Sequence, residues 1–154
     1  MRKNTPAANI ALFIFFSISC VAKLADYVND PARALNNYNT ELRVLAMQQD
    51  QIVKSYDDSG EFEAAESAER WSVELRELQR RLGSIELGHE DLAPLNAAMA
   101  HGNRALIAVM ESASEQDWEG ANEAMNEANA AFTSFVKERD TYVKRHELAL
   151  DSAS

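Results

Sequence analysis

The chain has 154 residues, a formal net charge of −10, 46% hydrophobic and 26% charged residues, and only five Gly and three Pro. That length gives room for one domain with a sizeable core, and the composition excludes a disordered or collagen-like chain and favours helix. Thirteen basic against twenty-five acidic residues follow Cys20, a balance of −12, which repels phosphate backbones and leaves nucleic acid out of the expected partners.

Met1 to Thr5 carry Arg2 and Lys3, Ile10 to Ile18 form an apolar run, and the small residues Ser17 and Ser19 precede Cys20. This is the charged, apolar and small-residue order of a secretory signal. As a membrane span it is short, because Pro6, Asn9 and several serines interrupt a stretch that needs about 20 predominantly apolar residues. The sequence Phe16-Ser17-Ile18-Ser19-Cys20 resembles the bacterial lipobox, in which the cysteine is lipidated and becomes the mature N-terminus; Ser17 stands where Leu is usual. The resemblance implies a signal peptide over 1–19, lipidation at Cys20, and a tether over 20–29. It further implies an exported protein held to a membrane in the periplasm or at the cell surface. Val21 follows the cysteine, which in a Gram-negative host implies the outer membrane. A secretory signal cut after Ser19 or Ala22, and an uncleaved anchor, remain open. Cys20 is the one cysteine, so an intramolecular disulfide and a four-cysteine zinc site are excluded.

Four heptad segments follow. The first opens with Asp30 as N-cap and Pro31 at the first helical position and repeats Leu35, Tyr38, Leu42, Leu45, Gln49, Ile52 and Tyr56, which predicts a helix over 31–57. Asp57-Asp58-Ser59-Gly60 stops it, and Ser or Asp is available to cap the next. The second segment, 61–86, repeats Ala64, Ala68, Trp71, Leu75, Leu78, Leu82 and Ile85, with Glu61, Glu63, Glu66 and Glu69 complementing the dipole at its start. Gly83 weakens its end and Gly88 closes it.

The third segment, 91–113, tolerates Pro94 in its first turn and repeats Leu92, Leu95, Met99, Gly102, Leu106, Val109 and Ala113; the inward Gly102 predicts close helix approach. The fourth, 117–150, starts at Asp117 and repeats Trp118, Ala121, Met125, Ala128, Phe132, Phe135, Arg139, Tyr142, His146 and Ala149. Val136, Val143 and Leu150 add a second apolar face, so this helix is expected either to project past its neighbours or to pack against Leu24, Tyr27 and Val28. Four amphipathic segments joined by short connectors predict an all-α fold, an antiparallel up-down four-helix bundle over 30–150. A helical hairpin or a homodimer completing four helices between chains stays open, because heptads do not fix oligomer state.

Chemistry-bearing residues are sparse. Covalent haem needs two cysteines before a histidine, and a di-iron bundle needs two Glu-x-x-His motifs where only Glu86-Leu87-Gly88-His89 matches, with Gly in a connector. His89 with Glu90 and Asp91, or Met99 with His101, are weak metal candidates beside readings as solvated loop and surface. No metal, cofactor or catalytic constellation is expected. Arg139 and His146 on the inward stripe, with Tyr38, Gln49 and Tyr142, define a possible polar pocket. Glu111, Glu115, Glu119, Glu123 and Glu127 fall four apart, and Glu119, Glu123 and Glu127 with Asn122 and Asn126 form a possible partner-binding face. The reading is a lipid-anchored binding or scaffolding bundle of the cell envelope that recognises an envelope protein. The alternative is a periplasmic ligand-sensing bundle, resembling chemoreceptor periplasmic domains, that works with a separate signalling partner.

Overall fold

A computed structural model describes residues 30–148, so the signal segment, Cys20 and the tether lie outside the described residues. Four α-helices follow in order: α1 (Pro31–Asp58), α2 (Glu61–Leu82), α3 (Ala93–Ser114) and α4 (Trp118–Arg145), with a 3₁₀ turn at Glu90–Leu92 ahead of α3. The fold is all-α, a four-helix bundle. No helix among the described residues is long and apolar enough to cross a membrane.

Cross-helix pairs give the topology. On α1 and α3, Tyr38 meets Asn96 and Gln49 meets Asn103, so their numbers rise together and the two helices run parallel. On α1 and α2, Gln48 meets Arg81 and Tyr56 meets Trp71, numbers that run oppositely. Tyr142 of α4 reaches Pro31 of α1, and Glu127 reaches His101 of α3. The arrangement is therefore up-down-up-down, with α1 and α3 on one diagonal, as the short connectors require.

The heptad positions fill the interior. Leu35, Tyr38, Leu42, Leu75, Leu95, Met99, Leu106, Val109 and Phe135 are essentially inaccessible to water. Each such side chain contributes about 1.5–3 kcal/mol relative to exposure. At Gly102 the approach of α4 is close enough that an added Cβ would sit 2.4 Å from the Phe132 ring, which is the physical reason for glycine on that stripe.

The helix bounds of α1 and α3 fall within two residues of expectation, and the larger differences are at α2 and at the end of α4. α2 stops at Leu82, not 86, because Gly83 caps it and donates its N–H to Gln79. Its N-cap is Gly60 without a side-chain bond, while Ser59 turns back to donate its hydroxyl to the Tyr56 carbonyl. α4 stops at Arg145, with Glu147 in the left-handed region (φ 51°), Leu148 N–H on the Val143 carbonyl and Glu147 N–H on that of Lys144. These are the bonds of a Schellman motif. Leu148 folds back to pack on the core rather than projecting past it. The starts agree better: Asp30 accepts from Ala32 N–H and Asp117 from Gly120 N–H, as N-caps do.

Candidate functional site

Two regions of the surface carry chemistry or shape. The first lies at the end of the bundle where the α2–α3 connector meets the C-terminus of α4. The 3₁₀ turn is capped by His89, whose Nδ1 accepts from the Asp91 N–H at 3.2 Å. This cap turns both side chains toward α4. There His146 Nε2 lies 3.1 Å from Asp91 Oδ2, and Arg145 Nη1 lies 2.9 Å from Asp91 Oδ1. The hydrogen bond from Arg145, reinforced by the charges of Arg145 and His146, holds the Asp91 carboxyl below the usual carboxylate range.

The Tyr142 ring packs against both imidazoles, with centroids 5.8 Å from His89 and 4.5 Å from His146, and the two imidazoles meet edge-on at 4.8 Å. Its hydroxyl donates to the Pro31 carbonyl and is pushed up to about 12 by burial and by the charges of Asp91 and Asp30. Ligand atoms of His89, Asp91 and His146 all lie within 4.8 Å of one another.

The five expected pocket residues are therefore not brought together. Tyr142 and His146 share the cluster just described. Gln49 lies deep in the bundle, where its amide donates to Asn103 Oδ1 at 2.9 Å. Tyr38 is buried near Asn96. Arg139, its side chain largely buried, is paired with the exposed Asp140. The reason is height along the bundle, since Gln49 and Tyr142 lie several turns apart once α1 and α4 run antiparallel. Asn103, which the sequence reading passed over, completes the Gln49 pair: its Nδ2 donates to the Leu75 carbonyl at 2.8 Å, so one fully buried amide links three helices. An asparagine beside Gly102 on the inward stripe was the available signal.

The expected acidic face lies on α4. Glu119, Glu123, Asn126 and Glu127 are exposed and Asn122 is partly so. Glu127 accepts from or pairs with His101 at 2.8 Å. Glu111 belongs to α3 and pairs with Arg76, and Glu115 caps α3, so the ridge does not run continuously across the turn. His101 faces solvent while Met99 is buried in the core, so that pair shares no site.

The second region is a groove of about 520 Å³ between α1 and α2. Ile52, Trp71 and Leu78 form its buried floor; Gln48, Gln51 and Ser55 line it from α1, and Val73, Glu74, Glu77 and Arg81 from α2. Arg81 donates to Gln48 across one end, and the edge-to-face pair of Tyr56 and Trp71 braces the other. Among the described residues, the large hydrophobics left exposed are Val44 and Met47 on α1 and Phe62 and Val73 on α2. Phe62 and Val73 are eleven positions apart, close to three turns at about 3.6 residues each, and so share one face of α2. The sequence pattern assigns Ile52, Trp71 and Leu78 to the core and gives no sign of the rim residues. Comparison of the chain with protein families, with characterised proteins and with solved structures finds no match.

Proposed function

We propose that the protein is an anchored binding module of the bacterial cell envelope: lipid at Cys20 fixes it to a membrane, and the α1–α2 face takes the apolar side of a helix from another envelope protein. The observation that carries this reading is the segregation of the exposed hydrophobics. Val44, Met47, Phe62 and Val73 all belong to α1 and α2, and Val73 stands on the rim of an open groove with an apolar floor. Exposed apolar side chains scattered singly need no explanation, but clustered ones mark contact surfaces. The occupant suited to an α1–α2 groove is an amphipathic helix, which sets residues at i, i+3, i+4 and i+7 into such a groove. With a net charge of −10 on this chain, a partner carrying basic flanks is favoured in encounter, and the Glu119, Glu123 and Glu127 face adds to that field.

The interior supports this over a ligand-sensing bundle. Gln49 and Asn103 satisfy each other instead of facing a cavity, and Tyr38 and Arg139 do not converge on them.

Intact-mass measurement of protein from bacterial membranes, wild type against Cys20→Ser, tests the anchor. Acyl mass on Cys20, lost together with membrane association in the variant, is the expected result; a free cysteine removes the anchor from the reading. A photo-cross-linking residue at Val73 is expected to capture one envelope protein that the same residue at Thr133 on α4 does not. Capture from neither position, or equally from both, removes the docking face.

A further inference from the structure

We infer that His89, Asp91 and His146 form a binding site for a late first-row divalent cation, Zn²⁺ being the ion the donor set suits best. Two imidazoles and one carboxylate oxygen are the ligands that zinc takes, whereas magnesium and calcium prefer oxygen alone. The three groups come from two elements, His89 and Asp91 from the α2–α3 connector and His146 from the C-cap of α4, and their donor atoms already lie within 4.8 Å of one another. With bonds of about 2.0–2.1 Å in a tetrahedral site, donor atoms stand roughly 3.3 Å apart. The separation of His146 Nε2 and Asp91 Oδ2, 3.1 Å, is nearly that, so only His89 has to swing inward.

The surroundings fit a site built around the ion. Arg145 holds Asp91 Oδ1 and leaves Oδ2 for the metal, and the Tyr142 ring packs against both imidazoles. Partners of this kind orient ligating groups. Three protein ligands leave a fourth position open to water or to a donor from another molecule. Coordination also has a local consequence. His89 Nδ1 now accepts from the Asp91 N–H; ligation through Nε2 places the ring proton on Nδ1, and ligation through Nδ1 uses the lone pair itself. Either way the metal replaces the cap, and the Asp91 amide changes its environment. The ion ties the connector to the end of α4. This inference does not depend on the membrane anchor or on the α1–α2 docking face.

The test is titration of the purified full-length protein with Zn²⁺ by calorimetry and with Co²⁺ by visible absorption. One ion per chain, a tetrahedral Co²⁺ spectrum that Zn²⁺ bleaches, and a melting temperature that rises with free Zn²⁺ are expected. His146→Ala and His89→Ala each weaken binding by more than the roughly 10–100-fold that loss of an outer-shell partner costs, and Asp91→Asn, which keeps the shape of the side chain, weakens it by at least about tenfold. Circular dichroism of each variant checks that the bundle is intact. His101→Ala, which removes the exposed third histidine with its carboxylate neighbour, leaves binding unchanged. Absence of a Co²⁺ spectrum and of any zinc-dependent rise in melting temperature overturns the inference, as does binding that survives His146→Ala or disappears in His101→Ala.

Discussion

Between α3 and α4 the backbones come close, with Phe132 laid over Gly102, and the buried residues mix small ones such as Ala105, Ala113, Ala121 and Ala128 with Leu106, Met110 and Met125. Between α1 and α2 the buried residues include Leu42, Leu45, Ile52, Tyr56, Trp71, Leu75 and Leu78 beside the small Ala46, Ala64 and Ala68. Between the outer turns of α1 and α2 the space is not filled. The same bundle thus has one pair closed along its length and one pair with a groove and exposed apolar side chains. Both pairs bury large and small side chains, so hydrophobic pattern alone does not set which pair is open; at α3–α4 the close approach is carried by Gly102 under the Phe132 ring.

The largest way to break the comparison is to enlarge a side chain on the closed pair. Gly102→Leu drives its branch into the Phe132 ring, whose nearest atom is 2.4 Å from even a Cβ. A destabilisation of at least about 3 kcal/mol in chemical denaturation is expected, at the upper end of overpacking costs. Gln51→Leu adds comparable apolar bulk in the α1–α2 groove and is expected to change stability by no more than about 0.5 kcal/mol. Equal losses at the two positions would show that both pairs are equally tight.

Next in size is the amide link that joins the two pairs. Asn103→Ala leaves the buried Gln49 amide and the Leu75 carbonyl without their partner, and about 2–3 kcal/mol is expected to be lost. Adding Gln49→Leu to Asn103→Leu removes both polar groups, so a double-mutant cycle is expected to recover more than 1 kcal/mol, roughly the cost of one unsatisfied group. Additive losses would mean that the two amides do not depend on each other.

Tyr38 reports how dry the parallel diagonal is. Its hydroxyl donates to Asn96 at 3.3 Å, and burial raises it well above the ordinary phenol value of 10.0. The neutral form is favoured in the fold, so the stabilisation is complete below that value and is lost as pH rises beyond it. Tyr38→Phe is expected to cost about 0.5–1.5 kcal/mol at neutral pH and to flatten the fall of melting temperature on the alkaline side of pH 10. An alkaline limb as steep as that of the wild type would place the effect on other groups.

What was legible in sequence follows from the same physics. The 3-4 spacing from Leu35 to Tyr142 located all four helices, because periodicity reports which face is buried. Gly102 announced the close pair. Helix ends were legible only where a breaker marks them: Asp30 with Pro31 and Asp117 fixed starts, whereas α3 and α4 end through Gln116 (φ 60°) and Glu147 (φ 51°) in left-handed turns that glycine normally occupies. Without glycine there, α4 was read five residues too far, and His146 was taken for a residue inside the helix when it is its cap. The His89 cluster was illegible for a different reason. Its members sit at the cap of a 3₁₀ turn and at the end of another helix, 57 positions apart between His89 and His146, and only the antiparallel return of α4 brings them to one level. Gln116→Gly relieves the strained turn and is expected to stabilise by about 0.5–1 kcal/mol; no gain in melting temperature would mean that the turn holds Gln116 without strain.

The smallest expected effect on stability separates packing from recognition. Val73 is 57% exposed on the groove rim, so Val73→Asp gives up little burial and should shift stability by no more than about 0.5 kcal/mol. If Val73 is there for the bundle alone, the charge is tolerated and nothing else changes. If it belongs to a docking face, the same substitution places an unpaired carboxylate in an apolar contact, a penalty that falls on the complex and not on the free chain. The melting temperature then stays within error of the wild type while a photo-cross-linking residue at Gln51, on the opposite rim, no longer captures the partner. A fall in stability of 2 kcal/mol or more, well beyond the roughly 0.5 kcal/mol of an ordinary surface change, would instead make α1–α2 a closed pair like α3–α4 and dissolve the contrast between them.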